Sequence, residues 1–541
     1  MTPSQQRAEA NLHDQTNLLQ GRTLILTFCI LAFGLLFSFI DQNGLSVTLP
    51  QVGRDLNAED KISWAGTSNL IANTTFQVLY GRLSDLFGRK VVITSCFLLL
   101  AVSDLLCGFA VNSTMLFVFR GLAGVATGGI MSLAMMIVSD IVTLEQRGKY
   151  QGILGSMVGL GNIGGPLLAA AFSQRTTWRA FFWFLAPAAA LCAVIDWFTL
   201  PAAMPKGNFR ENLAKIDYLG ILTGSAGLIL ILVPISGGGA YFAWDSALVI
   251  GMLTSGVVMT FVFIIVEWRF ARLPMMPVYL WKSAPIAALL LQSLLMGVPF
   301  YAYNWFAPLY FQNVRGLSPI MSAVYTIPYV GVQTISSTCS GLYISHYKRY
   351  GEVLWVGFGL FTLSSGLLCM WNRSTSVAEI VIYFVIMGLG TGCVLQPTLV
   401  ALQAHCTKSQ RAVVISNRNV LRCCGGAVGL AIAATVLQNA LKSSLPEDLK
   451  YLAASSYAVP NLIKFSPADQ NRILDAYSSA SRAVWITLSP FSGACFLLCI
   501  LVKDRGLTRP DERAEMNINH AGIPTDPEKT AAGPLERSLG L

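Results

Sequence analysis

The chain has 541 residues, of which 54% are hydrophobic and 12% are charged, and its mean hydropathy is +0.57. Soluble domains carry roughly 25% charged residues, so this composition excludes an ordinary soluble protein. The net charge of +9 comes from basic residues scattered between apolar runs, which indicates cytoplasmic loops and argues against a nucleic-acid partner. The twelve cysteines follow no metal-ligand or disulfide spacing.

Membrane-length apolar runs recur from residue 24 to residue 502. Because about 20 apolar residues cross a bilayer as a helix, these runs predict an all-α polytopic membrane protein with about 14 spans. The predicted spans are residues 24–49, 62–80, 91–110, 115–138, 150–172, 180–200, 216–235, 246–266, 284–306, 318–340, 353–371, 377–399, 413–437 and 483–502.

The loops between the spans predict the orientation and the division of the chain. With the N-terminus in the cytosol, most basic residues of the short loops fall inside, as the positive-inside rule requires. A faint internal repeat relates the turn at residues 81–90 to the turn at 341–350 and indicates two halves. The predicted parts are a cytoplasmic N-terminal tail (1–23), an N-terminal six-helix bundle (24–200), a linker with two extra transmembrane helices (201–283), a C-terminal six-helix bundle (284–502) with a long outside loop (438–482), and a disordered cytoplasmic tail (503–541).

The turn between the second and third spans reads GRLSDLFGRK and combines one acid, two glycines and three basic residues. Glycines let two helix ends approach, and a carboxylate beside cations can form an ion-pair latch against neighbouring helix ends. The residues of this predicted gating turn are Gly81, Asp85, Gly88, Arg89 and Lys90. An ordinary positive-inside loop is the alternative, but it does not explain the acid framed by glycines. The pattern G-x-L-S-D-x-x-G-R-K closely resembles the signature loop of the major facilitator superfamily.

Asp41 in the first span and Arg120 in the fourth are charged residues inside apolar runs. Charge at membrane depth is costly and by default marks a functional site. We expect Asp41 to titrate during transport and Arg120 to tune it or an adjacent site, and Asp104 in the third span is a second candidate. The alternatives are a solvated helix-end position for Asp41 and extension of Arg120 to the outer surface. Arg120 matches the fourth-helix arginine of this family, and the resemblance implies a role in proton transfer.

The fifth span contains GSMVGLGNIGGPLLAAAF, which matches the dinucleotide pattern G-x-G-x-x-G. We reject that interpretation because no strand precedes the pattern and it lies within a membrane-length apolar run. Small residues allow close helix contact and proline bends the helix, so this span is predicted to act as a pivot or a tight seal, with mere packing as the alternative. The stretch resembles the antiporter motif of the drug:proton antiporters, although Ala169 and Ala170 replace its usual glycines. The motif residues are Gly155, Gly159, Gly165 and Pro166.

Further motifs extend the resemblance over residues 24 to 502. They lie at residues 41–50, 178–187, 216–220, 244–246, 274–277 and 310–319. The chain is similar to fungal members of the fourteen-span drug:proton antiporter family. The resemblance implies two six-helix bundles with two additional central helices, which rock about a midplane site. It also implies secondary active export of drugs, toxins or secondary metabolites in exchange for protons.

Polar and aromatic residues of the first, ninth and tenth spans are predicted to line a substrate cavity. Such a cavity suits bulky amphipathic organic molecules, although Trp and Tyr also collect at membrane interfaces regardless of function. The candidates are Gln42, Asn43, Gln292, Tyr301, Tyr303, Asn304, Tyr325 and Gln333. Sequons at Asn112 and Asn372 fall in equivalent outside loops and are candidate glycosylation sites, but the shortness of both loops argues against modification.

The sequence thus predicts a monomeric multi-pass transporter whose partners are the lipid bilayer, protons and a small organic substrate, with no cofactor, metal or catalytic residue. The plasma membrane is the expected location and the vacuolar membrane the alternative. A vacuolar amino-acid or siderophore transporter is the alternative function within the superfamily. A membrane-embedded enzyme is disfavoured because the four histidines form no cluster, and a transporter-like sensor is disfavoured by the short predicted tail.

Overall fold

The computed structural model describes residue 5 and residues 17–58, 61–62, 64–200, 216–238, 242–271, 273–449 and 465–507. Most of the predicted tail 1–23, the predicted disordered tail beyond residue 507, and parts of the linker 201–283 and of the loop 438–482 lie outside the described residues. Within them the chain forms fifteen α-helices. These are α1 (Gly21–Asp55), α2 (Trp64–Phe87), α3 (Arg89–Gly108), α4 (Ser113–Ile141), α5 (Leu144–Arg175), α6 (Trp178–Thr199), α7 (Tyr218–Gly237), α8 (Ala247–Arg269), α9 (Ala284–Asn313), α10 (Pro319–Tyr347), α11 (Gly351–Leu368), α12 (Val377–Leu395), α13 (Pro397–Ala404), α14 (Arg411–Ser444) and α15 (Pro467–Leu498).

Twelve helical stretches of the described chain are long and apolar enough to cross a membrane, with α12 and α13 counted together, against the fourteen spans predicted. The difference lies in α2 and α10, which have 24 and 29 residues but carry many polar side chains. Helix α2 buries Asn69, Asn73 and Gln77. Polar side chains of membrane helices face other helices, which lowers the hydropathy of a helix without shortening it.

The predicted ten-residue gating turn is corrected by the structure, because most of it is helical. Helix α2 continues through Asp85 to Phe87, and α3 begins at Arg89. Only Gly88, with a φ of +89°, separates the two helices. Glycine adopts positive φ at little cost, so one residue is enough to end a helix sharply.

Helices α14 and α15 extend beyond their apolar runs, so the predicted outside loop 438–482 is shorter than expected. Helix α14 ends at Ser444, and α15 begins at Pro467, well before the predicted start of the last span. Ser466 caps α15 by accepting a hydrogen bond from Asp469 N at 3.2 Å, and proline at the first helical position is compatible with this start. Hydropathy finds the apolar part of a helix and misses its polar ends.

Each half of the chain has its own packed core. In the N-terminal half Phe97 and Ile130 are buried together, and in the C-terminal half Trp371 packs edge-to-face on Trp485 with ring centroids 6.0 Å apart. Lipid tails are as apolar as these side chains, so burying the side chains away from lipid provides little hydrophobic driving force. Close van der Waals packing therefore holds such cores together.

The two additional helices, α7 and α8, lie against both halves. Ile71 of α2, Leu232 of α7 and Ala427 of α14 form one buried cluster. The linker that follows α8 is also held, because Arg82 Nε donates a hydrogen bond to the main-chain oxygen of Pro274 at 2.9 Å. The inserted pair therefore covers one side of the interface between the halves.

The halves meet along the end of the bundle that the charge pattern predicts to face the cytosol. Gly152 of α5 packs on Ser337 of α10, and Ser156 Oγ donates to the main-chain oxygen of Thr334 at 2.7 Å. Beyond this point α5 returns to its own half, where Gly165 packs on Ile40 of α1.

Candidate transport site

A buried ion pair joins α1 and α4. Arg120 Nη1 lies 2.5 Å from Asp41 Oδ1, and Arg120 Nη2 donates to the main-chain oxygen of Asp41 at 3.3 Å. Both side chains are 0% exposed, and the guanidinium carbon lies 5.7 Å from the centre of the Phe182 ring. The structure therefore places Asp41 inside its helix and Arg120 inside the bundle, in contrast to the solvated and surface-extended alternatives.

Asp104 of α3 is the third charged group at this place. It is fully buried and interacts electrostatically with Asp41 and Arg120. Among the described residues, neither carboxyl oxygen of Asp104 has a hydrogen-bond partner, and Asp41 Oδ2 has none either. Two carboxyl groups therefore share one arginine away from water. We call these three residues the Asp41 cluster, and it is electrically neutral when one of its carboxyl groups carries a proton.

Small residues after Arg120 allow α2 to support the turn of α4 that carries the guanidinium. A Cβ atom on Gly128 would lie 2.7 Å from the main-chain oxygen of Asn73, and one on Gly124 would lie even closer to that of Asn69. The Asn69 side chain donates a hydrogen bond from Nδ2 to the main-chain oxygen of Arg120 at 3.2 Å. The helices therefore pack backbone to backbone directly beneath the ion pair.

The predicted gating residues form an ion-pair network at the predicted cytoplasmic end. Arg89 Nη2 lies 2.8 Å from Asp85 Oδ1, and Arg89 Nε lies 2.9 Å from Asp140 Oδ2. Asp140 also binds Arg411 of the opposite half, whose Nη1 donates to the main-chain oxygen of Ser139 at 3.0 Å. The sequence reasoning missed Asp140, although an acid at the end of the apolar fourth span was a usable signal.

The remaining residues of the predicted turn have different surroundings. A Cβ atom on Gly81 would lie 2.8 Å from Ser416 Oγ of α14, so this glycine permits contact between the halves. Lys90 stays outside the network, with its Nζ 5.0 Å from the ring centre of Trp197 in a cation–π contact.

The glycines of the predicted antiporter motif face two different partners. Gly155 and Gly159 lie against Ser337 and Thr334 of α10 in the other half. Gly165 lies against α1, where a Cβ atom would be 2.7 Å from the main-chain oxygen of Ile40, and Pro166 follows inside the helix. Helix α5 is thus the element that touches both the opposite half and the helix that carries Asp41.

Two predicted cavity residues, Gln292 and Tyr303, lie in the core of the C-terminal half and do not face the other half. Gln292 Nε2 donates to the main-chain oxygen of Cys495 at 2.9 Å, and the Tyr303 ring centre is 5.6 Å from that of Trp485. Residues eleven positions apart return to the same face of an α-helix, and this face of α9 packs on α15. The cavity prediction is corrected for these two residues.

The other predicted cavity residues are half-buried or bonded between helices. Asn43 Nδ2 donates to Asn162 Oδ1 at 3.0 Å, and Asn304 Nδ2 contacts Tyr329 Oη at 3.4 Å. Tyr301 faces α14, where its Oη lies 3.6 Å from Cys423 Sγ. Gln42 is half-buried, Tyr325 packs on Phe311, and Gln333 is buried beside Gly388 and Gly392.

Arg418 and Arg422 of α14 are two buried arginines that the sequence reasoning did not single out. They are 3% and 5% exposed. Arg422 Nη2 lies 3.7 Å from Met131 Sδ of the N-terminal half, and its guanidinium carbon lies 5.7 Å from the ring centre of Tyr301. Two arginines one helical turn apart inside an apolar run were a usable signal.

The candidate glycosylation asparagines are exposed; Asn112 caps α4, and Asn372 lies in the turn before α12. Asn112 Oδ1 accepts a hydrogen bond from Met115 N at 2.8 Å, and Asn372 Oδ1 accepts one from Ser374 Oγ at 2.6 Å. Modification of either residue stays a prediction.

Residues 31–430 match the family model of the Major Facilitator Superfamily. The chain belongs to this superfamily. Several known transporters are similar in sequence to nearly the whole chain. Citrate exporter 1 of Yarrowia lipolytica is 45% identical over 94% of the chain and 76% of the relative. The MFS-type transporter clz4 of Cochliobolus lunatus is 39% identical over 96% of the chain and 94% of the relative. The efflux pump dotC of Dothistroma septosporum is 30% identical over 93% of the chain and 89% of the relative.

A solved structure supports the same fold at low sequence identity. A bacterial homologue of the human lysosomal transporter Spinster, in an inward-facing and unoccupied conformation, covers 90% of this chain and 98% of its own. Its TM-score is 0.54 and its identity is 14%. The chain is therefore a multi-pass membrane transporter of the major facilitator type, with fungal exporters and efflux pumps among its relatives.

Proposed function

We propose that this transporter exports small organic molecules by proton antiport, as a fourteen-span drug:proton antiporter in which α2 and α10 also cross the membrane. The Asp41 cluster is the observation that carries the proposal. A proton bound there changes the buried charge by one unit, and a unit charge at about 4 Å contributes about 4 kcal/mol at an effective dielectric constant of 20. Reversing a 1:99 equilibrium between two conformations needs about 5.5 kcal/mol. The electrostatic energy changed by one bound proton is therefore comparable with the energy that switches the conformation.

Within the cluster we infer that Asp104 holds the proton while Asp41 stays bound to Arg120. Asp41 already accepts a hydrogen bond from Arg120 at 2.5 Å, which stabilises its charged form. No such bond reaches Asp104 within the described part of the chain, and an unpaired buried carboxylate is expensive. This assignment refines the expectation that Asp41 is the residue that titrates.

We infer that organic acids such as citrate are among the cargo molecules. The support is the relative named a citrate exporter, which is 45% identical to this chain. Other relatives are named efflux pumps, so drugs, toxins and secondary metabolites remain the second class of cargo. The plasma membrane is the proposed location, because the relatives are named an exporter and efflux pumps, and the vacuolar membrane is the alternative.

Reconstituted vesicles provide the test. The purified chain is placed in proteoliposomes with an acidic lumen, the membrane potential is clamped with potassium and valinomycin, and uptake of labelled citrate and of a labelled drug is followed. The proposal predicts accumulation of at least one cargo that stops when a protonophore collapses the pH difference. Cargo movement that is indifferent to the imposed pH difference contradicts the proposal.

A further inference from the structure

We propose that Arg422, together with Arg418, binds the carboxylate groups of a di- or tricarboxylate substrate between the two halves of the transporter. The inference rests on the proposed export function and names the chemical class of its cargo. It concerns α14 and is separate from the Asp41 cluster, which serves the proton.

Arg418 and Arg422 have no negatively charged partner among the described residues, in contrast to three other arginines inside the protein. Arg89, Arg120 and Arg411 each pair with an aspartate. In the described part of the chain, no carboxylate lies within ion-pair distance of Arg418 or Arg422, although each is at least 95% buried. An uncompensated buried charge is costly, and two such charges one helical turn apart also repel each other.

Arg418 is fixed by neutral acceptors. Its Nη1 donates to Asn419 Oδ1 at 3.1 Å, and its Nη2 donates to Thr398 Oγ1 at 3.1 Å and to the main-chain oxygen of Leu395. Leu395 ends α12 directly before the break at Pro397. Arg418 therefore joins the two pieces of a discontinuous helix and holds its guanidinium rigid, while its charge stays uncompensated.

Arg422 has weaker contacts and is the better placed to bind a ligand. It touches the Met131 sulfur at 3.7 Å and the Tyr301 ring at 5.7 Å. Three donors on this face of α14 lack an acceptor among the described residues, namely Arg418 Nε, Asn419 Nδ2 and Arg422 Nε. A carboxylate offers acceptors only and carries the missing charge, so it satisfies both deficits at once.

Arg418 and Arg422 lie at the interface between the two halves, where a transported substrate contacts both. Met131 belongs to α4, and Gln77 Nε2 of α2 lies 3.8 Å from the same sulfur that Arg422 contacts. Arg422 thus faces the N-terminal half across the interface, and Arg418, one helical turn away, contacts a broken helix. Broken helices and the interface between repeats are where secondary transporters bind their substrates.

The charge of the pair selects the class of ligand. Two arginines need two carboxylates for neutrality, so a di- or tricarboxylate fits better than a monocarboxylate. Cationic molecules meet like charge in a low-dielectric region, where repulsion disfavours their binding. The pair therefore favours organic acids over the cationic compounds that drug exporters remove.

Equilibrium binding tests the inference. Labelled citrate and succinate are titrated into the purified full-length chain and into R422Q, R422K and R418Q, with R472Q as the matched control because Arg472 is 66% exposed. Loss of a hydrogen bond to a charged group is worth about 1.5–3 kcal/mol, so R422Q is expected to weaken citrate binding about 10- to 150-fold. R422K keeps the charge without the planar fork and should lie between R422Q and wild type, while R472Q should bind as wild type does. Thermal melting shows whether each variant is folded. If R422Q does not fold, the comparison of R422K with wild type tests the inference.

Wild-type affinity for citrate in folded R422Q and R422K overturns the inference, and so does a wild-type chain that binds neither citrate nor succinate. Neutral trimethyl citrate that binds as tightly as citrate also overturns it. The proposed antiport is judged separately by Asp104→Asn, which should bind citrate normally and lose only its response to a pH difference. Loss of coupling in Asp104→Asn with unchanged binding in R422Q would reject the carboxylate site and retain the proposed function.

Discussion

Arg120 meets Asp41 at 2.5 Å between α4 and α1, and neither side chain is exposed. Asp104 brings a second carboxyl group to the same arginine without a bond of its own among the described residues. Counting charges gives a simple rule for substitutions. Removal of either carboxylate leaves one acid and one arginine, whereas removal of the arginine leaves two acids without a partner.

The first prediction applies this rule to stability. Arg120→Gln should lower the free energy of unfolding by about 3–5 kcal/mol, because it leaves buried carboxylates uncompensated. Asp41→Asn and Asp104→Asn should cost much less, since Arg120 still has one acid. Thermal melting in detergent measures the difference. The double variant Asp41→Asn/Arg120→Gln is the control and should recover much of the loss; a double variant as unstable as Arg120→Gln would contradict the charge count.

The second prediction concerns closure at the predicted cytoplasmic end. Asp140 binds Arg89 of one half and Arg411 of the other, so Asp140→Asn leaves two facing cations without their shared acid. The closed state should lose at least about 1.4 kcal/mol, which is a tenfold shift in population. Electron–electron distance measurements between spin labels on Lys149 and Tyr347 report the shift.

A surface pair in the same region is the control for that experiment. Lys348 Nζ lies 2.5 Å from Glu145 Oε1, but both side chains are more than half exposed. Exposed ion pairs contribute at most about 1 kcal/mol, so Lys348→Ala should change the distance distribution little. An Asp140→Asn distribution identical to that of Lys348→Ala would show that Asp140 does not hold the halves together.

The third prediction tests the close approach of α5 and α10. A Cβ atom on Gly341 would meet the main chain of Gly148 and lie 3.1 Å from Gly152 Cα, and main chain cannot rotate away. Gly341→Ala should therefore cost about 1–3 kcal/mol in the closed state and slow export. Gly331→Ala, on the same helix with nothing within 4 Å of its Cβ, is the matched control. Equal export rates in the two variants would argue against this contact.

The fourth prediction is a pH dependence of stability from Asp217, which caps α7 by accepting a hydrogen bond from Gly220 N at 2.9 Å. Burial raises the pKa of Asp217, against a smaller lowering by that hydrogen bond. A carboxyl group with a raised folded pKa adds stability below its unfolded pKa of about 3.9, and that stability is lost as pH rises through the folded value. Asn caps equally well but does not titrate. The melting temperature of wild type minus that of Asp217→Asn should fall as pH rises above about 4, and a constant difference would contradict the shift.

The members of the charged centre can be named from the sequence because charge inside an apolar run is costly and therefore conspicuous. That signal, with the family resemblance at Asp41 and Arg120, indicates Asp41, Arg120 and Asp104, and the structure brings them together from three helices. Periodicity could not supply the pairing, since the sequence does not say which helices are neighbours. Arg418 and Arg422 carry the same signal, because both lie inside the predicted apolar span 413–437.

Other differences have equally local causes. The turn at residues 81–90 is helical because its charged side chains pair with one another and allow α2 to continue past the apolar run to Phe87. Gln292 and Tyr303 have the composition of cavity residues, but the orientation of α9 turns them into the core of their own half. Residue type alone does not determine which face of a membrane helix meets the other half.

The most direct test of proton coupling compares two modes of transport in Asp104→Asn proteoliposomes, with Asp196→Asn as the control because Asp196 is also a buried carboxyl without a hydrogen-bond partner in the described chain. Labelled cargo is followed in accumulation driven by a pH difference and in exchange for unlabelled cargo without one. The account predicts that Asp104→Asn retains exchange and loses accumulation, while Asp196→Asn retains both. Full pH-driven accumulation by Asp104→Asn would contradict the account.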